Sequence, residues 1–351
     1  MRQQVVKAVV LLVGTFLLLL AFQTTSDVPI VEFTLKPSQD YSEHKKEAIS
    51  PAINILLVGD IMLGRNVESL MEVHGVGYPF LHTQELLKYP DVTIGNFEGT
   101  VSPIHEKAEP MTFKFSVKEE FLKVLQEVGF DILSLANNHS YDYGSSSFLH
   151  TSALCLQYAL VCRGAPSTLD EDSVHTSAIQ GRVVSFIFIH TLYADPDKET
   201  LKSLLARSTA ESEIQIAYIH WGEEYALIHN EEQRLLAEFL IDHGIDTVVG
   251  HHPHVVQDVE LYNGKPIFYS LGNFIFDQYF STDVQETVAL NMNIGTSSIA
   301  YSLTPLTSEL VRSQPAPMNE ASKKALFKRV FSSLEDSNPF VVSTGEFVLP
   351  L

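Results

Sequence analysis

"VVGHHPHVVQ", residues Val248 to Gln257, sets three histidines within four positions directly after a β-branched run. Imidazole is seldom used so densely for packing, so the segment raises the question of what His251, His252 and His254 hold. His252-Pro253-His254 places two imidazoles on the same side of an extended segment, because side chains alternate along a strand, and the proline between them fixes the spacing. The meaning of this cluster depends on what stands at the other strand ends.

Upstream of it, short apolar runs rich in Val and Ile alternate with helix-period segments. "INILLV", "DVTIGN", "FDILSLA", "VVSFIFIH", "IQIAYIH", "IDTVVG" and "PIFYSLGN" read as buried strands. "KEEFLKVLQEVG", "SSSFLHTSALCLQYA" and "NEEQRLLAEFLIDHG" read as helices, the first and last closed by Gly129 and Gly244. The alternation predicts an α/β domain with largely parallel pairing. "VVQDVELYNGKPIFYS" carries an Asn-Gly turn and predicts an antiparallel hairpin at a sheet edge. The tail from about residue 296 is less regular, with one amphipathic helix in "NEASKKALFKRVFSSLE".

In open α/β sheets, ligands gather at the carboxyl ends of the strands. There the runs deliver Asp60, Asn96 and Glu98, then Asn137, Asn138 and His139, then His220 with Glu223 and Glu224 just beyond, then the three histidines, and Asn273. Each has a bland reading alone: Asp60 as a helix cap, Glu98 as a turn acid, Asn137-Asn138 as turn geometry, His220 as a packed core histidine. Together they put one donor set on one rim. Imidazole, carboxylate and amide oxygen without thiolate suit Mn²⁺, Fe or Zn²⁺, one or two per chain. With a bridging carboxylate, such a set suits in-line phosphoryl displacement.

The 351 residues carry 43 acids against 23 bases, a formal net charge of −20. That balance opposes nucleic acid as a partner, since a phosphate backbone needs a positive surface. Arg2 and Lys7 precede "AVVLLVGTFLLLLAF", an apolar run of signal-peptide length, so residues 1–26 read as a signal or anchor and 27–51 as a linker. This predicts attachment to the cytoplasmic membrane with the domain outside, periplasmic or extracellular. That address permits a Cys155–Cys162 disulfide, with two unrelated buried thiols as the alternative. The domain is expected over 52–300, with 301–351 as a C-terminal extension packing on it.

Six blocks in order, "GDIMLGR", "GNFEGTVS", "LANNHSYDYG", "HWGEEY", "VVGHHPHVVQ" and "YSLGNFIFDQ", resemble the bacterial capsule-synthesis CapA family, the poly-γ-glutamate capsule family, related to calcineurin-like metallophosphoesterases. The resemblance implies a four-layer α/β fold of two mixed sheets flanked by helices. It implies Asp60, Glu98, Asn138, His220, His252 and His254 as metal ligands, with His139 and Asp60 as the catalytic pair of residues and Asn96, Glu224 and Asn273 near substrate. His251 is left either to orient a ligand or to pack. Methionine stands at residue 62, where metallophosphoesterases usually have the histidine of D-x-H, and Glu98 replaces their usual bridging Asp.

Two functions follow from the resemblance. One is a metal-dependent phosphoesterase-like hydrolase acting on a capsular or cell-envelope substrate, with His139 protonating the leaving oxygen. The other is a non-catalytic accessory subunit that binds capsule polymer or the proteins that synthesise and export it, with a degenerate metal site.

Overall fold

Why the chain builds two sheets is visible in the parity of its strands. The computed structural model describes residues 52–109, 112–336 and 338–351, so the expected anchor (1–26) and linker (27–51) lie outside the described residues. Strands β1 (Ile53–Ile61), β2 (Val92–Phe97), β3 (Ile132–Ser134) and β4 (Val161–Arg163) come first. There follow β5 (Val174–Ile179), β6 (Arg182–His190), β7 (Ile214–His220), β8 (Thr247–His251), β9 (Val259–Tyr262) and β10 (Lys265–Phe268). Last are β11 (Asn273–Ile275), β12 (Glu286–Ile294), β13 (Ser298–Thr307), β14 (Ala316–Pro317) and β15 (Glu346–Pro350).

The first group is the parallel part of the larger sheet, ordered β14-β13-β12-β1-β2-β3-β4 with β11 against β1 and β15 against β13. The second group is the whole of the smaller sheet, β5-β6-β7-β8-β10-β9. The third returns to the larger sheet. The Asn263-Gly264 hairpin joins β9 and β10 antiparallel at an edge, as the sequence predicts.

Along β1, Ile53, Ile55 and Leu57 share one core with Ile214, Ile216 and Tyr218 of β7 and with Val184, Phe186 and Phe188 of β6. Leu56 and Val58 face the other way, onto the helices Arg65–His74, Glu119–Val128 and Gly144–Gln157. Ala217 and Ile219 likewise face the helices Lys198–Glu211 and Glu231–Asp242. A period of two thus sorts each strand between an inter-sheet core and a helix layer, giving helix, sheet, sheet, helix. The Tyr218 hydroxyl donates to the Val58 carbonyl across the two sheets.

The same parity decides where the polar ends go. Ile216 and Tyr218 lead to His220, Phe186 and Phe188 to His190, and Val249 to His251, so all three imidazoles lie on the inter-sheet side of their strands. The parallel register sets them abreast, His190 opposite His220 and His220 opposite His251.

The tail departs from the sequence reading. Residue 300 lies inside β13, a ten-residue strand paired to β12 along its length, so the boundary expected at 300/301 falls within a ladder. Ile299, Tyr301 and Leu303 are buried while Ala300 and Ser302 separate them, a one-sided pattern too dilute to stand out as a buried run. The expected helix is present as Glu320–Val330, with the Asn319 side chain accepting from the Ala321 and Ser322 amides. It sets Leu326 and Phe327 into the inter-sheet core, as does Phe347 of β15.

Candidate metal centre

The parallel register of β1 and β2 sets Asp60 beside Asn96, after an irregularity between Leu57 and Asp60. Asn96 is the hub. Its Nδ2 donates to Asp60 Oδ1 at 2.8 Å and lies 3.2 Å from both Glu98 Oε1 and His220 Nδ1. Its own Oδ1 accepts from Asn137 Nδ2 at 3.1 Å, and Asn137 is anchored in turn to the Phe97 carbonyl. Asp60, Asn96, Glu98, Asn137, His220 and His251 are all fully buried.

Two adjacent carboxylates in such a place are costly unless something positive stands between them. Burial pushes the Glu98 carboxyl well up, and the nearby Asp60 charge adds to it. Burial also opposes ionisation of Asp60, but the His254 contact outweighs it and Asp60 ends below the usual carboxylate range. His254 Nδ1 stands 3.2 Å from Asp60 Oδ2 and 2.8 Å from Asn273 Oδ1. The His252 amide donates to Asp60 Oδ2 at 3.2 Å. Chiefly through burial, the His252 imidazole is pushed down to about 3 and that of His251 to about 4, and His220 lies well below its ordinary value. Glu98 Oε2 and His252 Nδ1 are buried without a hydrogen-bond partner. Unprotonated imidazoles facing an unsatisfied carboxylate oxygen fit a divalent cation.

Among the described residues, two groups offer donor atoms that all lie within 4.8 Å of one another: Asp60, Glu98 and His254, and Glu224, His252 and His254. His220 and Asn138 adjoin the first. His220 Nε2 and Asn138 Oδ1 are 2.8 Å apart, and His220 Nδ1 is 3.8 Å from Glu98 Oε1. The rim therefore collects the expected residues, Asn96 and Asn273 included, though these two amides bond to Asp60 and His254 rather than face solvent. His251 packs against Tyr218 with ring centroids 4.3 Å apart, and neither of its nitrogens has a partner.

The backbone at His252 and His254 differs from the extended segment predicted. β8 ends at His251, and His252 and His254 follow with φ of 96° and 59°. Just before this exit Gly250 admits close neighbours: a Cβ there would lie 2.1 Å from the Tyr269 carbonyl oxygen and 2.2 Å from Trp221 Nε1. Beyond β8 the two imidazoles meet through this left-handed backbone, ring centroids 5.7 Å apart.

His139 stands beside this group. Its Nδ1 lies 2.9 Å from Asp142 Oδ2, its Nε2 is 3.9 Å from Glu98 Oε2, and its ring stacks on Phe115 at 3.7 Å. Asp142 also accepts from the Phe115 amide at 2.7 Å, so one carboxylate fixes both rings. Below them the Arg65 guanidinium lies over Phe115 at 4.5 Å and pairs with Asp277. Three of these residues escaped the sequence reading. His190 closes "VVSFIFIH" as His220 closes its strand, and that signal was there to use. Asp142 lies three residues past His139, a spacing with meaning only once the turn is known. Arg65 offered no local signal. Cys155 and Cys162 are bonded to each other, which settles the open alternative.

Two packed sheets whose strand ends meet in a carboxylate, imidazole and amide rim, with a carboxylate-held histidine at its edge, define a four-layer α/β protein with a metal-capable rim. The chain belongs to the bacterial capsule synthesis protein PGA_cap family, whose model matches residues 54–278. It is 31% identical over 302 residues to the PGA biosynthesis protein CapA of Bacillus subtilis (strain 168), covering 80% of this chain and 77% of that one. It is 33% identical over 263 residues to the capsule biosynthesis protein CapA of Bacillus anthracis, covering 67% of this chain and 64% of that one, just under two thirds of the relative's length. Among solved structures it is similar to a novel phosphatase from Mycoplasma pneumoniae, at 14% identity and a TM-score of 0.43, over 74% of this chain and 88% of that one. It is also similar to a putative 5'-nucleotidase from Staphylococcus aureus, at 15% and 0.44, over 81% of this chain and 58% of that one. No helix among the described residues is long and apolar enough to cross a membrane.

Proposed function

We propose that this chain is a divalent-metal-dependent, phosphoesterase-like hydrolase serving capsule assembly at the cell envelope. The observation that carries the reading is the convergence of Asp60, Glu98 and His254 within 4.8 Å, with Glu98 Oε2 buried and unpartnered beside them. Asp60, Glu98, Asn138, His220, His252 and His254 would hold one or two ions of Mn²⁺, Zn²⁺ or Fe. A bound cation there supplies a Lewis acid and lowers the pKa of water.

The remaining chemistry falls to side chains of the chain. Asn96 and Asn273 orient Asp60 and His254. Asp142 accepts from Nδ1 of His139, so it is as imidazolium that Nε2, 3.1 Å from Asn138 Nδ2, would carry a proton to a departing oxygen. Glu224, exposed at the mouth, would face an incoming substrate. The disulfide supports an address outside the cytoplasm, with the apolar run of residues 8–22 holding the chain to the membrane and the folded part beyond it. Capsule polymer, or the proteins that make and export it, is the partner this role requires.

Purified protein is expected to contain near-stoichiometric Mn, Zn or Fe and to hydrolyse p-nitrophenyl phosphate or its bis ester. Chelation, Asp60→Ala and His252→Ala should each abolish the activity. Tight metal without turnover on either ester supports the accessory reading, for which two Mycobacterium tuberculosis relatives, 24% identical, are named probable polyglutamine synthesis accessory proteins. Protein free of metal when purified, and taking none up, sinks the hydrolase reading and leaves the accessory one.

A further inference from the structure

The loop that carries Glu224 is fastened to the turn that carries the histidines. The Trp221 amide donates to the His251 carbonyl at 3.2 Å, and the Tyr225 amide to the Pro253 carbonyl at 2.8 Å. Between these clasps the chain turns at Gly222, with φ of 84°. Three side-chain-bearing residues around it, Tyr225, His252 and His254, hold φ of 66°, 96° and 59°. Left-handed backbone of this kind persists only where its surroundings impose it, and it gathers at ligand clamps.

We propose that Glu224 is a metal ligand: with His252 and His254 it forms a second divalent-cation position, open to solvent, beside the buried Asp60–Glu98–His254 group. This inference rests on the metal-dependent reading above and replaces substrate contact as the role of Glu224. Its carboxylate lies within 4.8 Å of both ring donors. His252 is 6% exposed, yet its Nδ1 has no partner within the protein, a donor left for something the chain does not supply. Two imidazoles and one carboxylate leave coordination positions free, the set suited to Zn²⁺, Mn²⁺ or Fe²⁺ that must also hold water or substrate. Met62, just past β1, offers no competing donor, since it is fully buried and its sulfur accepts from the Gly64 amide at 3.1 Å.

The two positions differ in burial, so they should differ in exchange. The inner one is sealed by fully buried carboxylates. The outer one closes on an exposed glutamate and should release its ion to mild chelation.

Mn²⁺ titration of the full-length metal-stripped protein, followed by elemental analysis and by electron paramagnetic resonance of bound Mn²⁺, tests this. Wild type is expected to bind two equivalents, one held at least tenfold tighter, with a spin-coupled signal. Glu224→Gln should keep the tight equivalent, weaken the other at least tenfold and lose the coupling, while melting like wild type in EDTA. Asp60→Asn should instead weaken the tight equivalent. Glu224→Gln with wild-type stoichiometry and affinities overturns the assignment of Glu224 while leaving the metal site standing. A wild-type protein that binds one equivalent, indifferent to Glu224→Gln, does the same. Wild type that binds no Mn²⁺ overturns this inference together with the metal-dependent function.

Discussion

Nδ1 of His139 stands 2.9 Å from Oδ2 of Asp142, and the same carboxylate accepts from the amide of Phe115, the ring on which His139 is stacked. Asp142 therefore fixes the plane of the imidazole and accepts from Nδ1, while Nε2 stands 3.1 Å from Asn138 Nδ2 and 3.9 Å from Glu98 Oε2.

Replacing Asp142 by Asn should lower kcat by about 100-fold, the range for loss of a positioned proton donor. Metal content should stay at the wild-type value, because Asp142 belongs to neither ligand group. The loss should be larger for an alkyl phosphate, whose leaving oxygen needs the proton, than for a nitrophenyl ester. Equal losses on both substrates would remove His139 from the proton-donor role.

Asn96 bonds to Asp60 and contacts Glu98 and His220 through one amide group. Asn96→Ala strips buried acceptors of their donor, at a cost of about 1–3 kcal/mol in urea unfolding of the chelated protein. Metal affinity should fall about 10- to 100-fold, as for other groups that orient ligands. Unchanged cation binding by calorimetry would show that Asp60 and Glu98 hold their places without it.

Burial pushes His190 and His251 down to about 4 and His252 down to about 3. Histidine in the unfolded chain titrates near 6.5, so on acidification the unfolded state takes up protons first. The stability held by these three imidazoles is complete above about pH 6.5 and drains away as pH falls through the window below it. Glu98, raised by burial and by Asp60, opposes this in part, one carboxyl against three imidazoles. In EDTA the melting temperature should drop by more than ~5 °C between pH 7.5 and 5.5. A flat profile would mean that these histidines are not buried in solution.

The Cys155–Cys162 bond ties the end of a helix to β4 across a separation of seven residues. Breaking it with Cys155→Ser and Cys162→Ser together should cost about 2–3 kcal/mol, the loop-closure entropy of so short a ring. Reductant should reproduce the loss in wild type and leave the double variant unmoved. Equal urea midpoints with and without reductant would show that the bond does not form in the purified protein.

Much of the rim was legible because it rests on local rules. Apolar runs of strand length, closed by Asp60, Asn96, His220 or Asn273, give both the α/β class and the end of the sheet where donors collect. The same rules missed β13, where Ala300 and Ser302 interrupt the buried Ile299, Tyr301 and Leu303. They also missed Arg65, whose contacts with Phe115, Phe276 and Asp277 join parts of the chain that no window spans.

Alone, the sequence determined the alternation of elements, the residue types at the strand ends and the likeness to a capsule-synthesis family. Hydrophobic period and strand length are properties of neighbouring residues, and no tertiary contact is needed to read them. Tertiary structure decided the rest: that His252 and His254 meet through left-handed turns, that Asn96 joins both carboxylates, that Asp142 holds His139, and that Glu224 reaches the histidines. Those facts come from register between strands and from close packing such as that at Gly250, where residues distant in the chain meet, and such contact is written in no single segment.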